Sequence, residues 1–481
     1  MNDKDLEQIN SNMLLVLDFS AIVNIKSKDV LNELSTCFLN NKTRVAISRE
    51  FYENYDVVIK TLNNDQKSIA SMAYEFLKAL KKSNSLLYMS DILSTTEIVK
   101  KLHKNPNVCF VYYKNSEFAE NVLNFRNSIE CKAIIVDENG DYRICSDVDI
   151  IKSTERKIDS SAEESDYYKT SFIPAEGKRI KTRDNTKLEL GRLIGNGGEG
   201  MVYDCSSKPG YVIKIYRKEQ LTKLRLKKIF FMEKKQIRYD GLCWPEQVVF
   251  SENNEPIGYL MKKIEGKPLD TVFDGDECLL SEFPMWTKTD VINLAIDILQ
   301  KIQYLHMFGI LIGDLRLKNI VVDRNGNACL VDLDSCQIDN LPCPTGFSDY
   351  TPPELQQIEL KSQLRSFWNE SFSCSVLLFK ILFYGLHPYD QKNGADTLEE
   401  EIRAKSFPYP LMLNGDFSRI PWGGYKDVWR YTPVQMQRFL FDIFKENNRY
   451  SVQEMIMMLK TYCQFINLKK TEVPEINKIS F

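Results

Sequence analysis

The chain has few residues that hold zinc and no pattern that gathers them. Twelve Cys are scattered over 481 residues without a C-x-x-C pair, and only three His occur. Structural zinc needs four such ligands at close spacing, so zinc is not expected and disulfides are not implied. A basic excess is also missing. The 63 Lys and Arg stand against 66 Asp and Glu, a formal charge of −3, which gives no whole-chain reason to bind nucleic acid. Long apolar runs are absent, since the most apolar stretch, "SCSVLLFKILFYGL", is too short for a bilayer and carries Lys380. The opening "MNDKDLEQIN" is acidic and lacks the basic and apolar regions of a signal peptide. No internal repeat is visible. These absences imply a cytoplasmic protein with no membrane partner.

What is present is enough apolar residue for real cores. The hydrophobic fraction is 43%, and 26 Phe with 23 Tyr argue against disorder. A prior of roughly 150 residues per domain suggests two or three domains.

The most informative feature is "IGDLRLKNIVVDRNGNACLVDLDS". Asp314 and Asn319 are five residues apart, and Asp332 lies thirteen beyond the asparagine, after a short hairpin. One loop thus holds an acid able to accept a hydroxyl proton and an amide able to ligate a metal, and a second acid returns to the same place. Phosphoryl transfer asks for this combination: a positioned acceptor oxygen and a metal to neutralise charge on the phosphates. Arg316, two residues past Asp314, could neutralise the transferred group.

Upstream, "LIGNGGEGMVYDC" sets Gly195, Gly197 and Gly200 between two alternating apolar runs, a hairpin whose bare tip lets backbone N–H groups approach phosphates. A Rossmann fingerprint would continue as a helix; here "MVYDC", with Val202, continues as a strand. Lys214 follows in the alternating strand "GYVIKIYRK". Glu233 lies nineteen residues later in the helix-periodic "LRLKKIFFMEKKQIR", placed to orient that lysine.

From about Leu188 to about Asn467 the chain resembles the protein kinase superfamily. "YLMKKIEGKPL" is similar to the strand and hinge between lobes, with Met261 near the gatekeeper position and Lys262 to Ile264 along the adenine edge. "YTPPEL" resembles the A-P-E end of the activation segment, with Arg449 as the partner of Glu354. The departures are specific. Ile312, Gly313 and Asp314 stand in place of H-R-D, Asp332-Leu333-Asp334 replaces D-F-G, and Glu370 occupies the position of an anchoring Asp. The pattern resembles a bacterial group of non-arginine kinases with D-x-D-S in place of D-F-G. The resemblance implies a bilobal α+β kinase fold, MgATP (Mn²⁺ also possible), a protein Ser/Thr substrate, and Asn319 and Asp332 as magnesium ligands. Asp334 is either a cap of the following turn or one more contact to magnesium. Thr345, Ser348, Tyr350 and Thr351 lie where activation segments are phosphorylated.

Residues 1–150 form a separate α/β unit. "NMLLVLDFSAIVNI", "TRVAIS", "NVCFVYY" and "CKAIIVD" are strand-like runs between helical stretches, which implies a mostly parallel sheet covered on both faces. The unit resembles a PIN-like nuclease domain, whose metal-binding acids would be Asp18, Glu50 or Glu53, and Asp91. The late acid is missing, since Lys114, Asn115, Ser116 and Glu117 follow the "NVCFVYY" strand. Nucleic acid is a partner only if that domain is active, and an interaction module is the other reading. The polar, Ser-rich stretch over 151–184 reads as a linker. The kinase-like domain is expected over 185–467, with lobes meeting near 263/264, and 468–481 as a tail. A nucleotide-binding pseudokinase is the alternative to an active enzyme.

Overall fold

The computed structural model describes residues 12–48, 64–89, 95–154, 156–159, 167–273, 281–411 and 415–468, with a few isolated positions between them. Two compact units emerge: residues 1–157 with 304–310, and residues 158–303 with 311–481.

In the first unit, six strands lie in the order β3-β2-β1-β4-β5-β6: β1 (Leu14–Leu17), β2 (Arg44–Ser48), β3 (Leu86–Met89), β4 (Val108–Tyr113), β5 (Lys132–Val136) and β6 (Tyr142–Cys145). All neighbours run parallel except β5 and β6. The sheet is therefore mostly parallel, as the strand–helix alternation implied. Its middle strand β4, "VCFVYY", is buried at every position. A strand covered on both faces has no need of polar alternation, which is why this run is continuously apolar.

Asp18 ends β1 and starts the helix Phe19–Asn24. Its carboxylate accepts from the Ser20 backbone N–H at 3.2 Å and from the Ser20 hydroxyl, so it acts as an N-cap. Burial raises its pKa, against the pull of those hydrogen bonds. Glu50, Glu53 and Asp91, its expected companions in an acid cluster, lie outside the described residues.

The second unit begins earlier than 185. The helix Asp147–Thr154 still belongs to the first unit, whereas Arg179–Thr182 is already a strand of the second, so the expected linker over 151–184 is structured at both ends. That strand, β7, joins β8 (Lys187–Asn196), β9 (Gly200–Cys205), β10 (Tyr211–Tyr216), β11 (Gln247–Phe250) and β12 (Pro256–Lys262) in a closed antiparallel barrel. Strand alternation sorts β10 cleanly. Ile213 and Ile215 fill the barrel with Leu188, Leu190 and Tyr203, while Val212 and Tyr216 pack on the other face with Ile229 of the helix Lys223–Lys235. Lys214 shares the face of Val212 and Tyr216.

Beyond residue 264 the unit is mainly helical. Phe367–Leu382 is buried nearly all round, the mark of a central helix, and Ser366 with Asn369 closes its N-terminus in a capping box. No helix of the described residues is long and apolar enough to cross a membrane.

Candidate active site

A hairpin brings the metal-type residues together. Ile320–Val322 pairs antiparallel with Ala328–Leu330, and the Val331 N–H donates to the Asn319 carbonyl at 2.9 Å. Asn319 and Asp332 therefore leave the hairpin at the same end. Asp332 has a left-handed φ of +54°, which a short polar side chain tolerates better than most. The turn leaves Asp332 55% exposed and buries Asp334, two residues on, to 1%.

Asp314 sits five residues before Asn319. The Asn319 amide donates to its carbonyl oxygen at 2.9 Å and to its Oδ2 at 3.1 Å, and Arg316 stands 3.5 Å from the same oxygen. Its other oxygen, Oδ1, is buried and has no hydrogen-bond partner among the described residues. Burial raises the Asp314 carboxyl, and Arg316 and Asn319 pull it back. This suits a group that must take up a proton. Beneath the loop, the Glu370 carboxylate accepts the backbone N–H groups of Ile312 at 2.9 Å and Gly313 at 2.7 Å. The expected anchor is in place. Glu354 and Arg449 also meet, at 3.1 Å.

Asp314, Arg316, Asn319 and Asp332 line one cleft of about 730 Å³ together with Gly195, Gly197, Gly200, Val202 and Lys214. At Gly200 any Cβ would stand 2.5 Å from the Ile215 carbonyl oxygen, so the hairpin closes against β10 only with glycine there. Val202, Met261 and Ile264 pack into one apolar cluster with Val331. The Lys262 side chain lies 3.6 Å from Asp240, and neither it nor Met261 nor Ile264 is among the residues lining the cleft.

One expectation fails. Glu233 does not hold Lys214. Its carboxylate accepts the Val248 N–H at 2.9 Å and pairs with Arg183 at 2.8 Å. The physical reason is helix phase: Arg225, Lys228 and Met232 share the buried face of Lys223–Lys235, and Glu233 is one residue round from it. The helix thus presents cations inward, with Lys228 donating to the Ser335 carbonyl at 2.9 Å.

The lysine's anion comes from elsewhere. Lys214 Nζ lies 2.8 Å from Asp334, 3.3 Å from Asp332 and 3.5 Å from Glu199. Asp334 also accepts from the hydroxyls of Tyr216 at 2.7 Å and Tyr259 at 2.9 Å. It neither caps the following turn nor faces the cleft, so both expectations for it are corrected. Burial alone would raise the Asp334 carboxyl, but Lys214 and Arg225 outweigh it and hold the group well below the usual carboxylate range. The same anions raise the Lys214 ammonium against its burial. The motif reading missed Arg225, Tyr216, Tyr259 and Glu199. Strand alternation puts Tyr216 on the face of Lys214 and was the available signal.

Residues 188–458, more than half of the chain, match the protein kinase domain family. The chain belongs to that family. Among its relatives, protein kinase YegI of Escherichia coli (strain K12) is 29% identical over 246 residues, 48% of this chain and 37% of that protein. Probable serine/threonine-protein kinase YbdM of Bacillus subtilis (strain 168) is 26% identical over 222 residues, 45% of this chain and 77% of its own. Ribosomal protein S6 kinase alpha-6 of Mus musculus is 27% identical over 242 residues, 46% and 29% of the two chains. The matched region thus spans little more than a third of YegI. Kinase domains of this family use ATP and a divalent metal in general. The donor set here fits that use: a half-exposed Asp332 and an Asn319 whose NH₂ is engaged by Asp314, leaving the amide oxygen for a cation.

Proposed function

We propose that the chain is an ATP-dependent protein kinase that transfers a phosphoryl group to Ser or Thr hydroxyls of a protein substrate. The observation that supports it is the gathering of Asp314, Asn319, Asp332 and Lys214 around one cleft roofed by the glycine hairpin. In this reading Asp314 Oδ1 accepts the hydroxyl proton as the acceptor oxygen bonds to phosphorus and the bond to the ADP oxygen breaks. Lys214 and Arg316 carry positive charge to the phosphates. Asn319 and Asp332 hold the divalent cation, which when bound offsets the phosphates' charge. Val202, Met261 and Ile264 supply the apolar edge for the base. Electrostatics preorganised in this way is the main resource of phosphoryl transfer.

The Ser/Thr assignment leans on the likeness to the probable serine/threonine-protein kinase YbdM. The alternative, a nucleotide-binding scaffold without transfer, draws on Glu199, which faces Lys214 from within the glycine hairpin. Incubating the full chain with γ-labelled ATP, Mg²⁺ or Mn²⁺ and casein decides between them. Label on casein or on the chain's own Ser or Thr supports the enzyme, and nucleotide binding without transfer supports the scaffold. The nuclease reading of the first unit gains no support, because Asp18 is engaged as a helix cap.

A further inference from the structure

We infer that Asp334 is the positioning residue for Lys214, doing from the turn after Asp332 what an acid on the neighbouring helix was expected to do. The role rests on the cleft being the nucleotide site proposed above.

Lys214 is buried to 4% and needs a permanent counter-charge. Among the described residues three carboxylates are within 3.5 Å, but they differ in kind. Asp332 is 55% exposed to the cleft, and Glu199 is 36% exposed on a glycine hairpin. Both are open to a ligand's phosphates and metal. Asp334 is 1% exposed, closest to Nζ, and fixed by two tyrosine hydroxyls that donate to it. Hydroxyl donors favour the carboxylate over the acid, so the anion is held in place and in charge. The helix Lys223–Lys235 braces this turn, through Lys228 on the Ser335 carbonyl and Arg225 at 3.8 Å from Asp334. It offers Lys214 no acid.

The consequence is mechanical. One short turn, Leu333–Ser335 with Asp332 at its start, carries both the metal-facing acid and the anchor of the phosphate-facing lysine. Setting that turn sets both groups together, and the helix brings no acid of its own to Lys214, since Glu233 pairs with Arg183 and the Val248 N–H.

The test uses the 481-residue chain and four variants: Asp334→Asn, Lys214→Met, the double variant, and Glu233→Gln. ATP affinity is measured by fluorescent-nucleotide displacement, transfer by labelled phosphate, and Mg²⁺ dependence by titration. The expected result is that Asp334→Asn weakens ATP affinity and transfer more than tenfold with an unchanged Mg²⁺ midpoint. The double variant binds ATP no worse than Lys214→Met, because Asp334 acts through the lysine, and Glu233→Gln matches wild type. Should Asp334→Asn fold poorly, Tyr216→Phe with Tyr259→Phe keeps the charge but frees it, and a severalfold rise in KM for ATP is expected. The inference is overturned if Asp334→Asn or the tyrosine pair leaves ATP affinity unchanged, if the double variant falls well below Lys214→Met, or if Glu233→Gln loses as much as Asp334→Asn. An inactive wild type that still binds ATP would sink the catalytic proposal alone, and the affinity arms would continue to test Asp334.

Discussion

The Arg365 guanidinium donates to the backbone carbonyl of Gly313, and its other nitrogen donates to the carbonyl of Thr345. One buried side chain therefore ties the residue before Asp314 to the segment that follows Asp332. Where the arginine directly before Asp314 is missing and Gly313 stands instead, a cation from a later part of the chain binds that residue's backbone. The tie uses main-chain oxygens and requires no phosphate.

Removing that tie is expected to matter more than removing any hydroxyl on the segment. Arg365→Ala should lower phosphoryl transfer more than tenfold, since two charge-assisted hydrogen bonds of about 1.5–3 kcal/mol each position the loop. Thr345→Ala or Ser348→Ala should change basal transfer by less than about tenfold, roughly 1.4 kcal/mol. Initial rates on a common acceptor check both. A collapse in either alanine variant with folding intact would show that the segment depends on a phosphate after all.

Asp332 and Lys214 should both be essential and yet differ in stability. In the proposed mechanism each faces the phosphates, and losing about 3 kcal/mol of transition-state stabilisation cuts the rate more than a hundredfold. Asp332 is half exposed, so Asp332→Asn should leave the thermal midpoint nearly unchanged. Lys214→Ala strands the buried Asp334 without its closest cation, a mechanism worth about 3–5 kcal/mol in other buried pairs. Thermal denaturation beside the activity assay reads both effects. Equal stability losses in the two variants would contradict the burial difference.

The site was legible where chemistry is local in sequence. Asp314, Asn319 and Asp332 were placed by loop and hairpin spacing alone, and Lys214 by strand alternation after a glycine turn. Glu233 failed because a helix boundary shifted by one residue turns a side chain by about 100°, and periodicity does not fix phase that finely. Asp334 was misread, and Arg365 went unread, for another reason. Their partners lie 120 and 52 residues away, and no local pattern announces a contact across that distance. In the first unit, the apolar runs foretold the sheet because a doubly covered parallel strand must be apolar throughout.

Acid should weaken the helical lobe through His387. Its Nδ1 accepts the Tyr389 N–H at 3.2 Å and its Nε2 donates to the Asp349 carbonyl at 2.8 Å, so the ring is neutral and fully used. Burial, helped by the charge of Lys380, brings its pKa down to about 3. The folded pKa lies below the ordinary value near 6.5, so the unfolded chain takes up the proton first. The stabilisation is therefore whole above about pH 6.5 and is lost as pH falls from there toward 3. Between pH 6.5 and 5 the loss should be ~2 kcal/mol. Chemical denaturation at several pH values reads it, and His387→Gln should flatten that slope. A variant as acid-sensitive as wild type would rule this histidine out.

Restoring the missing arginine should fail. Gly313 has a φ of +74°, a conformation that costs a residue with a Cβ about 1–2 kcal/mol. Space is the larger objection. A Cβ at this position would lie 2.5 Å from Cys343 Sγ and 2.6 Å from Arg365 Nη1, closer than atoms can approach without displacement. The place an arginine would take is already filled by one. Gly313→Arg should therefore lower both the thermal midpoint and transfer, and Gly313→Ala should do most of the same damage, because the offence lies at the Cβ. Combining Gly313→Arg with Arg365→Gly opens room and should recover part of the stability lost by the single variant. Melting curves of the three variants separate the terms. A Gly313→Arg protein as stable as wild type, with transfer that rises on phosphorylation of Thr345, would mean the loop accommodates the arginine and that Arg365 is no substitute for it.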